Sequence, residues 1–219
     1  MNIAVKWFRK VHELTKTHTH PMMAWDIMPH AGASQVHPHF QGFLGKGKYL
    51  GKMGKLQEVI RSYKQTMNRD YLNDYIDLHI SIGLGVRFRS TSILVPIDAT
   101  KENEFIIIGS TSLSDWVRAL YLIHRTYIEE LKVYCFSSGM AWPSCIVIED
   151  NIDLNDINTS MFSNSNEVGN LMHARIAGRG NCQSIESDIS SLELYLINHL
   201  SSDPYKTFQA LKTTIMKYK

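Results

Sequence analysis

The residues best suited to chemistry lie in the run Gly32-Ala33-Ser34-Gln35-Val36-His37-Pro38-His39-Phe40-Gln41. In an extended chain Gln35, His37, His39 and Gln41 share one face, and Val36, Pro38 and Phe40 share the other. Two imidazoles on one face can bind a metal. One of them can instead attack phosphorus while neighbouring groups hold the phosphate oxygens. The bland alternative is an amphipathic strand with two hydrogen-bonded histidines. His-x-His alone is common and is weak evidence for any of these. Neutral imidazole is a good nucleophile near pH 7. The small residues Gly32, Ala33 and Ser34 let a phosphate approach the backbone, and Lys46 and Lys48 follow closely enough in sequence to neutralise its charge. Pro38, lacking an N–H, places this strand at a sheet edge.

Several elements must position these residues. Trp7, Val11 and Leu14 fall at helical spacing and predict a helix over 2–17 that stops before Pro21. Residues 22–28 and 33–44 read as a hairpin about a turn at 29–32, and the Gly- and Lys-rich segment 42–55 reads as a loop. Apolar positions from Leu56 to Tyr75 predict one long helix over 53–78. Strands are expected at 84–95, 104–108, 132–137, 144–149 and 171–177. Helices are expected at 113–131, capped by Ser112 or Ser114, at 189–200, and at 204–217, capped by Asp203 or Ser202 with Pro204 in its first turn. The polar stretch 150–168 reads as a mobile surface insertion. This order predicts an α+β protein with antiparallel sheet.

Composition sets bounds. The chain has 219 residues, 44% hydrophobic and 20% charged, which suits a folded core in one large or two small domains. A net charge of +2 gives no case for nucleic acid. No apolar run approaches membrane-spanning length, and the charged N-terminus does not suit a signal peptide. The three cysteines make no disulfide framework and read as buried free thiols in a reducing, cytoplasmic setting. Six of the ten histidines lie within the first 39 residues, but His18 and His20 read as members of a solvated loop. Tyr63, Tyr71 and Tyr75 read as core or interface.

The string Gly32-Ala33-Ser34-x-x-His37-Pro38-His39-x-Gln41 resembles the active-site motif of the histidine-triad superfamily. The branch it resembles is that of galactose-1-phosphate uridylyltransferase, with the ADP-glucose, GDP-glucose and diadenosine tetraphosphate phosphorylases. The resemblance implies that His39 is the nucleophile and forms a nucleotidyl-histidine. It implies that Gln41 binds phosphate oxygens in the transition state, and that Ser34, with Gly32 and Ala33, binds substrate. His37 would be a metal ligand, as in some members, with zinc the candidate metal. Asp26 stands near the nucleotide position where the family often has asparagine, and a carboxylate there repels phosphate. Glu193 would contact sugar hydroxyls, and Arg175 or Arg179 would pair with a phosphate.

The same resemblance implies histidine-triad-like antiparallel sheets with packed helices. An incomplete first copy over 1–82 would carry the motif, and a second copy would follow over 83–219. Relatives carry a sizeable N-terminal portion before the helix and histidine strand, and this chain opens with that helix. The implied activity moves a nucleoside monophosphate between a nucleotide sugar and a sugar 1-phosphate, as in galactose metabolism, in a cytoplasmic homodimer. The alternatives are a phosphorylase or hydrolase of a nucleotide sugar or dinucleoside polyphosphate, and a non-catalytic relative acting as a binding protein.

Overall fold

The computed structural model describes residues 2–34, 37–109, 112–148, 172–183 and 202–218. Helix α1 (Asn2–Thr15) ends at Lys16, whose φ of 57° leaves the helical region. The helix buries Val5 and Phe8, whereas Trp7 and Leu14 are exposed. The expected Trp7–Val11–Leu14 stripe is therefore not the face turned to the core. The helix carries two apolar stripes, and sequence spacing cannot say which of them the sheet covers. Trp7 instead lies across Gly42, where a Cβ would come within 3.1 Å of its ring.

Strand β1 (His18–Ile27) starts earlier than the sequence predicts and runs through Pro21. After a 3-10 turn at Pro29–Ala31, strand β2 covers only Gln41–Lys46. The expected strand over 33–44 is thus displaced: His37, Pro38 and His39 precede it, and its body falls in the glycine-rich segment read as a loop. Glycine is required there by close approach. A Cβ on Gly45 would sit 2.2 Å from the Lys48 carbonyl oxygen.

The expected long helix is two helices, α2 (Gly51–Met67) and α3 (Tyr71–Ser81). Asn68 takes a left-handed conformation with φ of 52° and closes α2. The Asp70 carboxylate then accepts from the Asn73 N–H at 2.9 Å and starts α3. The apolar period continues across this break, so periodicity could not reveal it.

Strands β3 (Gly85–Phe88), β4 (Thr91–Leu94) and β5 (Phe105–Ile108) follow, the first two as a tight hairpin. Helix α4 (Leu113–Arg125) begins after Ser112 and passes into a π-helical turn at Thr126–Leu131. Strand β6 (Phe136–Ala141) replaces the strand expected at 132–137. Residues 144–149 were expected as a strand, but Cys145–Ile148 form a short helix, α5. A brief apolar run reads the same for a buried helix turn as for a strand. Here Pro143 opens the turn and Arg9 holds it, its Nε donating to the Ile146 carbonyl at 2.9 Å. Strand β7 (His173–Gly178) and helix α6 (Pro204–Tyr218) complete the described elements. Asp203 caps α6, its carboxylate accepting from the Tyr205 N–H at 2.9 Å. The expected insertion at 150–168 and helix at 189–200 lie outside the described residues.

The seven described strands form one antiparallel sheet, ordered β2-β1-β6-β7-β5-β4-β3. Strands from both expected units, 1–82 and 83–219, share it through the β1–β6 pairing. One face, with Met23, Met140, Ile176, Ile107 and Ile93, packs against α1, α4 and α6 through Phe8, Trp116, Leu122 and Phe208. Each such fully buried side chain contributes about 1.5–3 kcal/mol. The other face carries a smaller cluster around Tyr49, Met53, Ile76 and Ile106. The architecture is α+β, as the element order predicts. No helix among the described residues is long and apolar enough to cross a membrane.

Cys135 and Cys182 form a disulfide, with Cα atoms 5.8 Å apart. This corrects the reading of free thiols. The two are 47 residues apart in sequence, and only the pairing of β6 with β7 brings Phe136 opposite Gly178 and so joins them.

Candidate active site

β2 is the outer strand of the described sheet, and Pro38 lies before it, so the edge position does not rest on its missing N–H. The segment entering it is anchored on the helix side. The Phe40 ring packs on Trp25 at 4.6 Å, Trp25 on His124 at 5.2 Å, and His124 on Phe136 at 4.9 Å. Burial pushes His124 down to about 4, so this support is neutral at pH 7. Gln41, next in the chain, pairs with Ala24 and is exposed. Register extends its row across the same face through Gly139 to Arg175.

His37 is exposed and His39 half-buried, their ring centroids 5.4 Å apart. His39 Nδ1 lies 3.1 Å from the His37 carbonyl oxygen. A carbonyl only accepts, so Nδ1 donates in this contact, which orients the ring. In this contact the histidine at 37 acts through its backbone.

The turn before the histidines is fixed to the sheet. Ser137 Oγ donates to the Ala31 carbonyl at 3.2 Å, and Ala31 and Ala33 are buried. Gly32 has φ of 98°, a region that favours glycine. A Cβ built on it would lie 4.0 Å from the Asp26 carboxyl, so Asp26 and Gly32 are neighbours. Ser34 is exposed. Gln35 and Glu193 lie outside the described residues.

Three expected phosphate partners are placed elsewhere. Lys46 pairs with His18 at the far end of β2; five residue steps of about 3.4 Å put it roughly 17 Å from Gln41. Lys48 follows it beyond the strand. Arg175 is committed to the buried Glu104 as an ion pair and donates to Thr100 Oγ1 at 2.7 Å. Sequence reasoning did not single out Glu104 or His173. The signal was the alternation His173-Ala174-Arg175 on β7, which puts both polar side chains on one face. His20 packs edge-on against Tyr49 at 4.6 Å, and burial lowers its pKa. Among the described residues no three His, Cys, Asp or Glu side chains converge as a metal site. No chemical step below passes through a metal.

This sheet, with the histidine segment at its edge, has the fold seen in solved uridylyltransferases. A solved uridylyltransferase mutant superposes with a TM-score of 0.73 at 12% identity, covering 100% of this chain and 70% of that one. An ADP-glucose phosphorylase from Arabidopsis thaliana, with bound ADP-glucose, gives 0.60 at 10% identity over 96% of this chain and 64% of its own. A GalT-like protein from the same plant gives 0.62 at 10% identity, over 96% and 66%. This chain therefore spans roughly two thirds of the length of these neighbours. No protein-family model matches the sequence, and no curated protein matches it significantly.

Proposed function

We propose that the protein is a nucleotidyltransferase that moves a nucleoside monophosphate from a nucleotide sugar to a sugar 1-phosphate through His39. The hydrogen bond from His39 Nδ1 to the His37 carbonyl carries this reading, because it engages Nδ1 and orients the ring. Nε2 attacks the phosphorus bonded to the nucleoside. A P–N bond forms, and the P–O bond to the leaving group breaks, its electron pair departing with the sugar 1-phosphate. The oxygen of an incoming phosphate then attacks the same phosphorus and releases the imidazole. Gln41, adjoining the histidine segment, would donate to the oxygens that gain charge. Ser34 and the turn at Gly32 and Ala33 would hold the neighbouring phosphate. Asp26 beside Gly32 would set which phosphate position is tolerated, since its carboxylate repels an anion placed against it. His37 as a zinc ligand, Glu193 as a sugar contact, the homodimer, the two-copy division at residue 82 and a cytoplasmic setting belong to the same proposal.

A second reading differs only in the acceptor. With inorganic phosphate in place of sugar phosphate the same intermediate gives a phosphorylase, and the fold shared with the ADP-glucose phosphorylase favours testing it.

The experiment is intact mass spectrometry at neutral pH after mixing the protein with individual nucleotide sugars, beside His39→Ala. An added nucleoside monophosphate on the natural chain, absent from the variant, is the expected result and names the base. Adding hexose 1-phosphate or inorganic phosphate should then discharge it and name the acceptor. A folded protein that takes no adduct from any donor would overturn the proposal in favour of a binding protein.

A further inference from the structure

Between α2, α3 and the sheet lies a cavity of about 530 Å³ whose lining includes neither His37, His39 nor Gln41. Its size is that of small-molecule sites. Met53, Leu56, Val59, Leu72, Ile106 and Ile108 give it apolar walls. Gly139 contributes to its floor, and a Cβ there would meet nothing within 4 Å.

One end is polar, and its groups are unevenly satisfied. Glu104 is spent: it pairs with Arg175 and accepts from the N–H groups of Thr100 at 2.8 Å and Lys101 at 3.2 Å. Asp98 accepts from the Tyr75 hydroxyl at 2.9 Å. Lys52 donates to Thr100 Oγ1 at 3.1 Å and has no carboxylate at ion-pair distance among the described residues. Burial, and then the charge of Arg175, lower its pKa, while the charges of Glu104 and Asp98 raise it. Lys55 adds a further positive charge to the lining.

A second, independent observation comes from His173. It is 9% exposed, lines the cavity, shares the sheet face of Arg175, and makes no hydrogen bond among the described residues. Burial holds it neutral, at about 4. Its ring lines the cavity and can hydrogen-bond a polar atom placed there.

We propose that this cavity is a second ligand site, distinct from the histidine segment, that takes a small amphipathic anion. An apolar or aromatic body would fill the space between Met53, Leu56 and Ile106. A single carboxylate, sulfonate or phosphate would meet Lys52, and His173 would hydrogen-bond a polar atom of the body.

The test uses two fluorescent probes of nearly the same shape: anionic 8-anilinonaphthalene-1-sulfonate and uncharged N-phenyl-1-naphthylamine. Both are titrated into the full chain, Lys52→Met, Gly139→Leu and His39→Ala, with urea midpoints recorded for each. The natural protein should bind the anionic probe saturably at one equivalent. Lys52→Met should weaken the anionic probe about tenfold, as for loss of one charge-assisted contact, and leave the neutral one within about twofold. Gly139→Leu, which projects a side chain from the floor, should abolish both. His39→Ala should change neither, which separates this site from the proposed transferase chemistry. No saturable binding to the natural chain would overturn the inference. So would binding that survives Gly139→Leu at an unchanged urea midpoint, an unchanged ratio of the two affinities in Lys52→Met, or loss of binding in His39→Ala.

Discussion

His39 Nδ1 donates to the backbone carbonyl of His37 at 3.1 Å, so the first histidine orients the second without using its own ring. This sets apart two roles that sequence alone could not separate. If the carbonyl is what counts, His37→Ala keeps the hydrogen bond and should slow adduct formation by no more than about tenfold, less than the usual 10²–10⁴ for a group in proton transfer. Single-turnover mass spectrometry gives the rate. A loss matching that of His39→Ala, restored by added zinc, would show the imaginary separation to be wrong and make the ring at 37 a metal ligand.

Gln41 is exposed at the start of an outer strand, and its side chain supports no core contact. Gln41→Ala should therefore leave the urea midpoint unchanged and lower kcat by about 10²–10³, the usual loss for a donor to developing charge. An effect confined to KM would mean that Gln41 binds substrate and transition state alike.

Two buried histidines give the stability an acid limb. Burial lowers His124 and His173 to about 4 from an ordinary 6.5. Between those values the unfolded chain binds protons that the native state refuses, so stability is full above pH 6.5 and is lost as pH falls towards 4. Each group contributes at most about 1.4 kcal/mol per pH unit. His124 Nε2 is buried with no hydrogen-bond partner among the described residues. His124→Phe keeps the ring between Trp25 and Phe136, and should flatten the limb while leaving stability at pH 7.5 equal or higher. Urea midpoints from pH 4 to 7.5 measure this, and an unchanged slope would count against it.

The Cys135–Cys182 bond predicts a thiol count. Unfolded without reductant, the chain should titrate one thiol per molecule, from Cys145, against three after reduction. Cys182→Ser should cost about 2–4 kcal/mol under oxidising conditions and nothing under reducing ones. Three thiols before reduction would restore the reading of free cysteines.

The sequence by itself placed His37, His39 and Gln41 within one short run, because their spacing is covalent. It also determined the α+β class, because the order of helical and extended periods follows from local alternation. The tertiary structure decided what depends on distant partners. It chose Val5 and Phe8 over Trp7 and Leu14 because the sheet offers space to one stripe only. It made a strand of a glycine-rich segment because Lys48 and Trp7 press on Gly45 and Gly42. It joined Cys135 to Cys182 and drew Lys52, Arg175 and His173 to one cavity through strand register, which no local spacing encodes.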